Sequence, residues 1–115
     1  MPKAPSKVLI VENDPIAKMD VFIMLEDLGL EPIGPVPNVL ESLNILRSQP
    51  VDRAILDVSL VGEDSKRVAK ELKFRSVPFV YATGNIDCLK GSGFPEAPVI
   101  AKPATESELF KYFGV

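Results

Sequence analysis

Four short apolar runs, each ending in polar residues and each set off from the next by a helix-like stretch, constrain this chain more than any other feature. They are Lys7-Val8-Leu9-Ile10-Val11, Arg53-Ala54-Ile55-Leu56, Pro78-Phe79-Val80-Tyr81-Ala82 and Pro98-Val99-Ile100-Ala101. Runs that are apolar throughout, with no polar alternation, suit strands covered on both faces. A weaker run, Glu31 to Val36, carries Pro32 and Pro35 and so suits a sheet edge. Helical signals fill the gaps. Asp14 and Pro15 open a helix that runs to about Leu28 and stops at Gly29. Asn38 with Glu41, and Thr105 with Glu108, are cap pairs for helices over Val39 to Arg47 and Glu106 to Phe113. A further helix is expected over Ser65 to Arg75. Strands alternating with helices imply an α/β fold with a doubly wound parallel sheet, because right-handed crossovers cover both faces. The stretch from Asn85 to Ala97, with Gly91, Gly93 and Pro95, predicts a short or mobile fourth helix.

Composition narrows the function. The chain has 115 residues, 46% hydrophobic and 25% charged, in the range of one globular domain. Its net charge of -3 argues against nucleic-acid and anionic-membrane partners. One cysteine, Cys88, forms no internal disulfide, and no signal peptide opens the chain, so a reducing, cytoplasmic compartment is expected. The longest apolar run, Val21 to Leu25, is too short to span a bilayer. With no histidine, the serine hydrolase triad, the common zinc sites and a phosphohistidine carrier role are all removed.

In a doubly wound sheet, reactive groups collect at the carboxyl ends of the strands. The residues there are Glu12, Asn13, Asp57, Thr83 and Lys102. A glutamate and an asparagine after the first strand, an aspartate, a hydroxyl and a lysine converging on one crevice describe a metal pocket with a nucleophilic carboxylate. Val8-Leu9-Ile10-Val11-Glu12-Asn13-Asp14, Ala54-Ile55-Leu56-Asp57, Tyr81-Ala82-Thr83-Gly84 and Lys102-Pro103, in that order over essentially the whole chain, resemble the receiver domain of two-component response regulators. The Tyr-Ala-Thr-Gly stretch is similar to a bacterial branch whose fourth helix is often poorly formed.

The resemblance implies a flavodoxin-like strand order 2-1-3-4-5 and a single receiver domain over residues 1–115, either a stand-alone receiver or the receiver part of a longer protein. It implies Asp57 as phosphoacceptor from a sensor histidine kinase or a histidine phosphotransfer protein, so that the chain is no enzyme beyond catalysing its own phosphorylation and dephosphorylation. Mg²⁺ would be held by Glu12, Asn13, Asp57 and the Ser59 backbone carbonyl. Lys102 and Thr83 would bind the phosphoryl oxygens. A cis Lys102–Pro103 bond is also implied. Three departures stand out. Asn13 replaces a metal-binding aspartate, Val99 replaces an aromatic switch residue, and the span from Thr83 to Lys102 is short.

Other residues admit plainer readings. Asp14 reads as a helix cap, Cys88 as incidental, and Lys66, Arg67, Lys70 and Lys73 as a solvated face offset by Glu63, Asp64 and Glu71. Gly91-Ser92-Gly93 lacks the context of a nucleotide loop. On the first helix, Ala17, Val21, Met24, Leu25 and Leu28 follow a core stripe. Ile16, Met19 and Ile23, flanked by Phe22, form a second stripe on roughly the opposite side. That second stripe is a candidate partner surface for a homodimer or a kinase, with the last helix either at its edge or covering it. Two other functions compete. Asn13 suits a pseudo-receiver, an interaction module that is not phosphorylated. A haloacid dehalogenase-like phosphatase would need a second aspartate two residues after the first, where Asp57-Val58-Ser59 supplies serine.

Overall fold

The run Lys7–Val11 forms strand β1, whose Val8, Leu9, Ile10 and Val11 are shut off from solvent, as a strand covered on both faces must be. The computed structural model describes residues 6–60, 62–89 and 92–113, with the backbone alone for residues 15–18, 86 and 88. After β1 come α1 (Pro15–Asp27), β2 (Glu31–Val36), α2 (Val39–Ser48), β3 (Arg53–Asp57), α3 (Lys66–Phe74), β4 (Phe79–Thr83), β5 (Val99–Ala101) and α4 (Glu106–Phe113). All neighbouring strands are parallel, and the order is β2-β1-β3-β4-β5, the doubly wound arrangement expected.

Because successive strand residues point to opposite faces, each strand feeds two cores. Val8, Ile10, Ile55, Val80, Ala82 and Ile100 pack with Leu25 of α1 and with Leu109 and Phe113 of α4. Leu9, Val11, Ala54, Leu56, Phe79 and Tyr81 pack on the other side with Leu43 and Leu46 of α2 and Val68, Ala69 and Leu72 of α3. Both cap pairs form: the Glu41 amide donates to Asn38 Oδ1 at 2.9 Å and the Glu108 amide to Thr105 Oγ1 at 3.3 Å. In β2, Gly34 takes φ of 97°, and a Cβ there would lie 2.7 Å from the Val36 amide nitrogen and 3.1 Å from the Ile10 carbonyl oxygen. No side chain fits that position. The β1–β2 pairing shifts register between Leu9 and Val11 at this point, and Gly34–Pro35 is cis.

The structure departs from the sequence reading in two places, the connection from β3 to α3 and the Phe22 side chain. A small antiparallel hairpin, Ser59–Leu60 against Glu63–Asp64, occupies the connection from β3 to α3. Glu63 Oε2 accepts the Val39 amide at 3.1 Å and so ties the hairpin to the start of α2. The fourth helix is short, as expected, a single 3₁₀ turn over Ile86–Leu89, and residues 92–98 before β5 form no regular element. Phe22, expected beside the exposed stripe of α1, is instead half-buried against the core with Val21, Met24 and Leu28. The reason is α4: lying alongside α1, it adds a second wall and widens the arc of α1 that is covered. Met19 and Ile23 remain exposed at 53% and 50%. The side chains of Ile16 and Ala17 lie outside the described residues.

Candidate functional site

Three strand ends build the site. Glu12 follows β1, and its amide donates to the Val36 carbonyl at 3.0 Å, which fixes the turn toward α1. Asp57 is the last residue of β3, in register with Ala82 of β4, and the Val58 amide donates to the Ala82 carbonyl at 3.3 Å. Lys102 leaves β5 with its amide on the Thr83 carbonyl at 2.9 Å, and the Lys102–Pro103 bond is cis, as the resemblance implies. Two acidic side chains and one ammonium thus meet at the carboxyl end of the sheet. Lys102 Nζ donates to Glu12 Oε1 at 2.6 Å, to Glu12 Oε2 at 2.9 Å and to Asp57 Oδ2 at 3.0 Å.

Glu12 and Asp57 are both buried, so the cluster holds two carboxylates against one cation in a poorly hydrated place. Burial pushes the Glu12 carboxyl from 4.5 up to about 7, the neighbouring Asp57 adding to this and Lys102 opposing it. Burial pulls the Lys102 ammonium down, but its hydrogen bonds and attraction to Glu12 and Asp57 outweigh that, and its net shift is upward. A folded-state Glu12 titrating above the unfolded chain favours folding fully below 4.5, an advantage lost as pH rises through about 7. In chelator-treated protein the urea midpoint should therefore rise from about pH 8 to about pH 5, and Glu12→Gln should flatten that trend. A midpoint that falls on acidification, or a slope the variant leaves unchanged, would contradict this account of Glu12.

Around the cluster, the Ser59 amide donates to Asp57 Oδ1 at 3.3 Å, with Ser59 itself exposed on the hairpin. Thr83 is buried, and its hydroxyl accepts the Asn85 amide at 3.1 Å and donates to the Asn85 carbonyl at 3.3 Å. Asn85 was not singled out from sequence, although a threonine two residues ahead of an asparagine after a strand is a side-chain turn signal. Asn13 is half-buried beside Glu12. The two carboxylates brought together here, Glu12 and Asp57, offer oxygen donors of the kind Mg²⁺ takes. Among the described residues no cluster of three acidic or sulfur or imidazole side chains is assembled for a metal, so a bound ion would keep several waters.

A cavity of about 40 Å³ lies between the site and α1, lined by Glu12, Asp20, Val21, Lys102 and Pro103 among others. It is too small for a metabolite. A larger cavity of about 610 Å³ opens at the opposite end of the sheet, by Arg53, Lys73, Phe79 and Tyr112, far from the carboxylates. Behind Thr83, Tyr81 donates its hydroxyl to the Pro95 carbonyl at 2.5 Å, and burial raises its pKa to about 12.

A parallel 2-1-3-4-5 sheet with a glutamate, an aspartate and a lysine on three strand ends defines the receiver class, and the chain belongs to the response-regulator receiver family of two-component signalling. It is similar over its length to SdrG of Sphingomonas melonis Fr1, at 39% identity and a TM-score of 0.83, covering 96% of this chain and 95% of that one. The same fold occurs in the receiver domain of the Pseudomonas aeruginosa sensor histidine kinase PA1611, solved with magnesium in its active-site cleft (23% identity, TM-score 0.80, 97% and 100% covered). The receiver domain of Erythrobacter litoralis PhyR also shares it, at 20% identity and a TM-score of 0.85, with 95% and 87% covered. Among curated proteins, the Bordetella pertussis transcription regulator BvgA is 29% identical over 73 residues, 64% of this chain and 35% of its own length. The chain spans about a third of the length of the curated relatives it matches and matches no family model. No helix among the described residues is long and apolar enough to cross a membrane.

Proposed function

We propose that the chain is one phosphoacceptor receiver domain that takes a phosphoryl group onto Asp57 from a phosphohistidine of a sensor histidine kinase or a histidine phosphotransfer protein. The observation that carries this reading is the Lys102 ammonium bridging Glu12 and Asp57 at the strand ends. An Asp57 carboxylate oxygen attacks phosphorus, the phosphorus–nitrogen bond breaks, and the imidazole leaves with its electron pair and takes a proton. Lys102 sits 3.0 Å from Asp57 and pairs with a phosphoryl oxygen as the new charge arrives. The Ser59 amide holds the other Asp57 oxygen, and Thr83 turns its hydroxyl from Asn85 to the phosphoryl group. Glu12, Asn13, Asp57 and the Ser59 carbonyl are the donors for Mg²⁺, which supplies charge neutralisation on the transferred group. Hydrolysis of the resulting acyl phosphate by the domain itself is the only chemistry it would catalyse beyond its own labelling.

Asn13 favours a second reading, a pseudo-receiver that binds partners without being phosphorylated, in which Lys102 offsets the carboxylates permanently. Incubation with acetyl phosphate and Mg²⁺, read by intact mass, separates the two: one added phosphoryl group supports the acceptor. None, with none gained from a phosphorylated kinase either, supports the pseudo-receiver. Asn13→Asp should tighten Mg²⁺ about tenfold by calorimetry, since it adds a full charge where the amide offers a dipole. Unchanged affinity would mean that Asn13 does not face the metal. Met19 and Ile23 are the described part of the proposed partner surface that remains open for a kinase or a second copy.

A further inference from the structure

Helix α3 buries Val68, Ala69 and Leu72 against the sheet, so Arg67, Lys70 and Phe74, at i, i+3 and i+7, form the stripe that faces away from it. All three are exposed, and Phe74, at 85%, is the most open large hydrophobic side chain among the described residues. Residues 66–75 hold five of the chain's thirteen Lys and Arg but only one of its sixteen Asp and Glu. That one, Glu71, is engaged by Arg75 at 2.6 Å. The two preceding carboxylates lie before the helix rather than on its outward stripe, where Glu63 accepts the Val39 amide and Asp64 the Lys66 amide.

The flanking cations are held in place. Lys66 lies 5.3 Å over the Phe94 ring, Lys73 lies 5.8 Å over the Phe79 ring, and Arg75 Nη1 donates to the Leu46 carbonyl at 2.9 Å. Arg67 and Lys70 make no ion pair among the described residues. An open aromatic ring on the same outward helix stripe as Arg67 and Lys70 is complementary to an acidic surface that also offers an apolar side chain. We propose that this stripe docks an acidic, amphipathic segment of a protein partner, its apolar side chain on Phe74 and its carboxylates on Arg67 and Lys70. A polyphosphate has no apolar side chain to set on Phe74. A bilayer needs a whole apolar helix face, and the stripe has a single apolar residue.

The stripe also connects to the site. The Ser65 amide, at the start of α3, donates to the Val58 carbonyl at 3.0 Å, one residue from Asp57. Control of the docking face by phosphorylation rests on the function proposed above. The test is a titration of the ¹⁵N-labelled chain with a short Glu- and Asp-rich peptide bearing one leucine. The same peptide with serine for leucine, an oligothymidylate and phosphatidylserine vesicles serve as comparisons. Saturable binding with shifts at residues 67, 70 and 74 is expected. Phe74→Ser, Arg67→Glu with Lys70→Glu, and the serine peptide should each weaken it about tenfold or more. No saturable binding, binding indifferent to Phe74→Ser, or tighter binding of the oligonucleotide or vesicles would overturn the proposal. All three substituted positions are exposed, so the variants should keep the fold, checked by circular dichroism. Peptide binding on α3 by a protein that takes up no phosphoryl group supports the docking face and counts only against the acceptor reading.

Discussion

The Asp57→Asn protein, incubated with acetyl phosphate and Mg²⁺ under conditions that label the wild type, should take up no phosphoryl group and should fold at least as stably. The first outcome follows because Asp57 is the carboxylate at the end of β3 that touches both Lys102 and the Ser59 amide, and an amide is no nucleophile toward phosphorus. The second follows from charge. The wild-type cluster sets Glu12 and Asp57 against a single ammonium, and removing one carboxylate leaves a matched Glu12–Lys102 pair. Stability in chelator should be unchanged or higher by about 1 kcal/mol. Intact mass checks the first result and urea denaturation the second. Equal labelling of variant and wild type would transfer the acceptor role to another side chain, and a large loss of stability would mean that Asp57 is chiefly a structural partner of Lys102.

Lys102→Met should give the largest change in the metal-free protein. Methionine keeps most of the side-chain volume, so the loss is electrostatic: two buried carboxylates face each other without a cation. Removing one member of a buried ion cluster costs about 3 to 5 kcal/mol. Partial exposure of Lys102, at 24%, and the readiness of Glu12 to protonate bring the expected loss to the lower end of that range. Millimolar Mg²⁺ should restore part of it by binding the folded state alone. The control is Lys111→Met on the exposed side of α4, which should be neutral. A Lys102→Met protein as stable as wild type in chelator would show that water, not the lysine, compensates the carboxylates.

Strands and helices were legible wherever burial on two faces or a cap left a mark on the sequence. β1, β3 and β4 are covered on both sides, and their apolar runs say so. The hairpin at Ser59–Leu60 and Glu63–Asp64 was not legible, because two-residue strands are too short to carry a period. Phe22 was misplaced for a different reason: a helical wheel knows the angle of a side chain but not that α4 supplies a second wall. At the site, the residue types after each strand were readable, since a doubly wound sheet collects them at one end. The three short contacts from Lys102 and the upward shift of Glu12 were not, because both depend on how deeply the strand ends are buried.

The sheet has two outer strands, and neither offers a usable border for another chain. β2 contains Pro32 and Pro35, which lack the N–H that a neighbouring strand would need, and a backbone shift at Gly34 interrupts the ladder. β5, on the other side, is only three residues long. Strand addition, the route by which many α/β and β proteins aggregate or recruit extended peptides, is therefore closed at both borders. Recognition must go through side chains on the helices and on the loops at the carboxyl end of the sheet. Such contacts can be rewired by a few surface substitutions without disturbing the backbone beneath them.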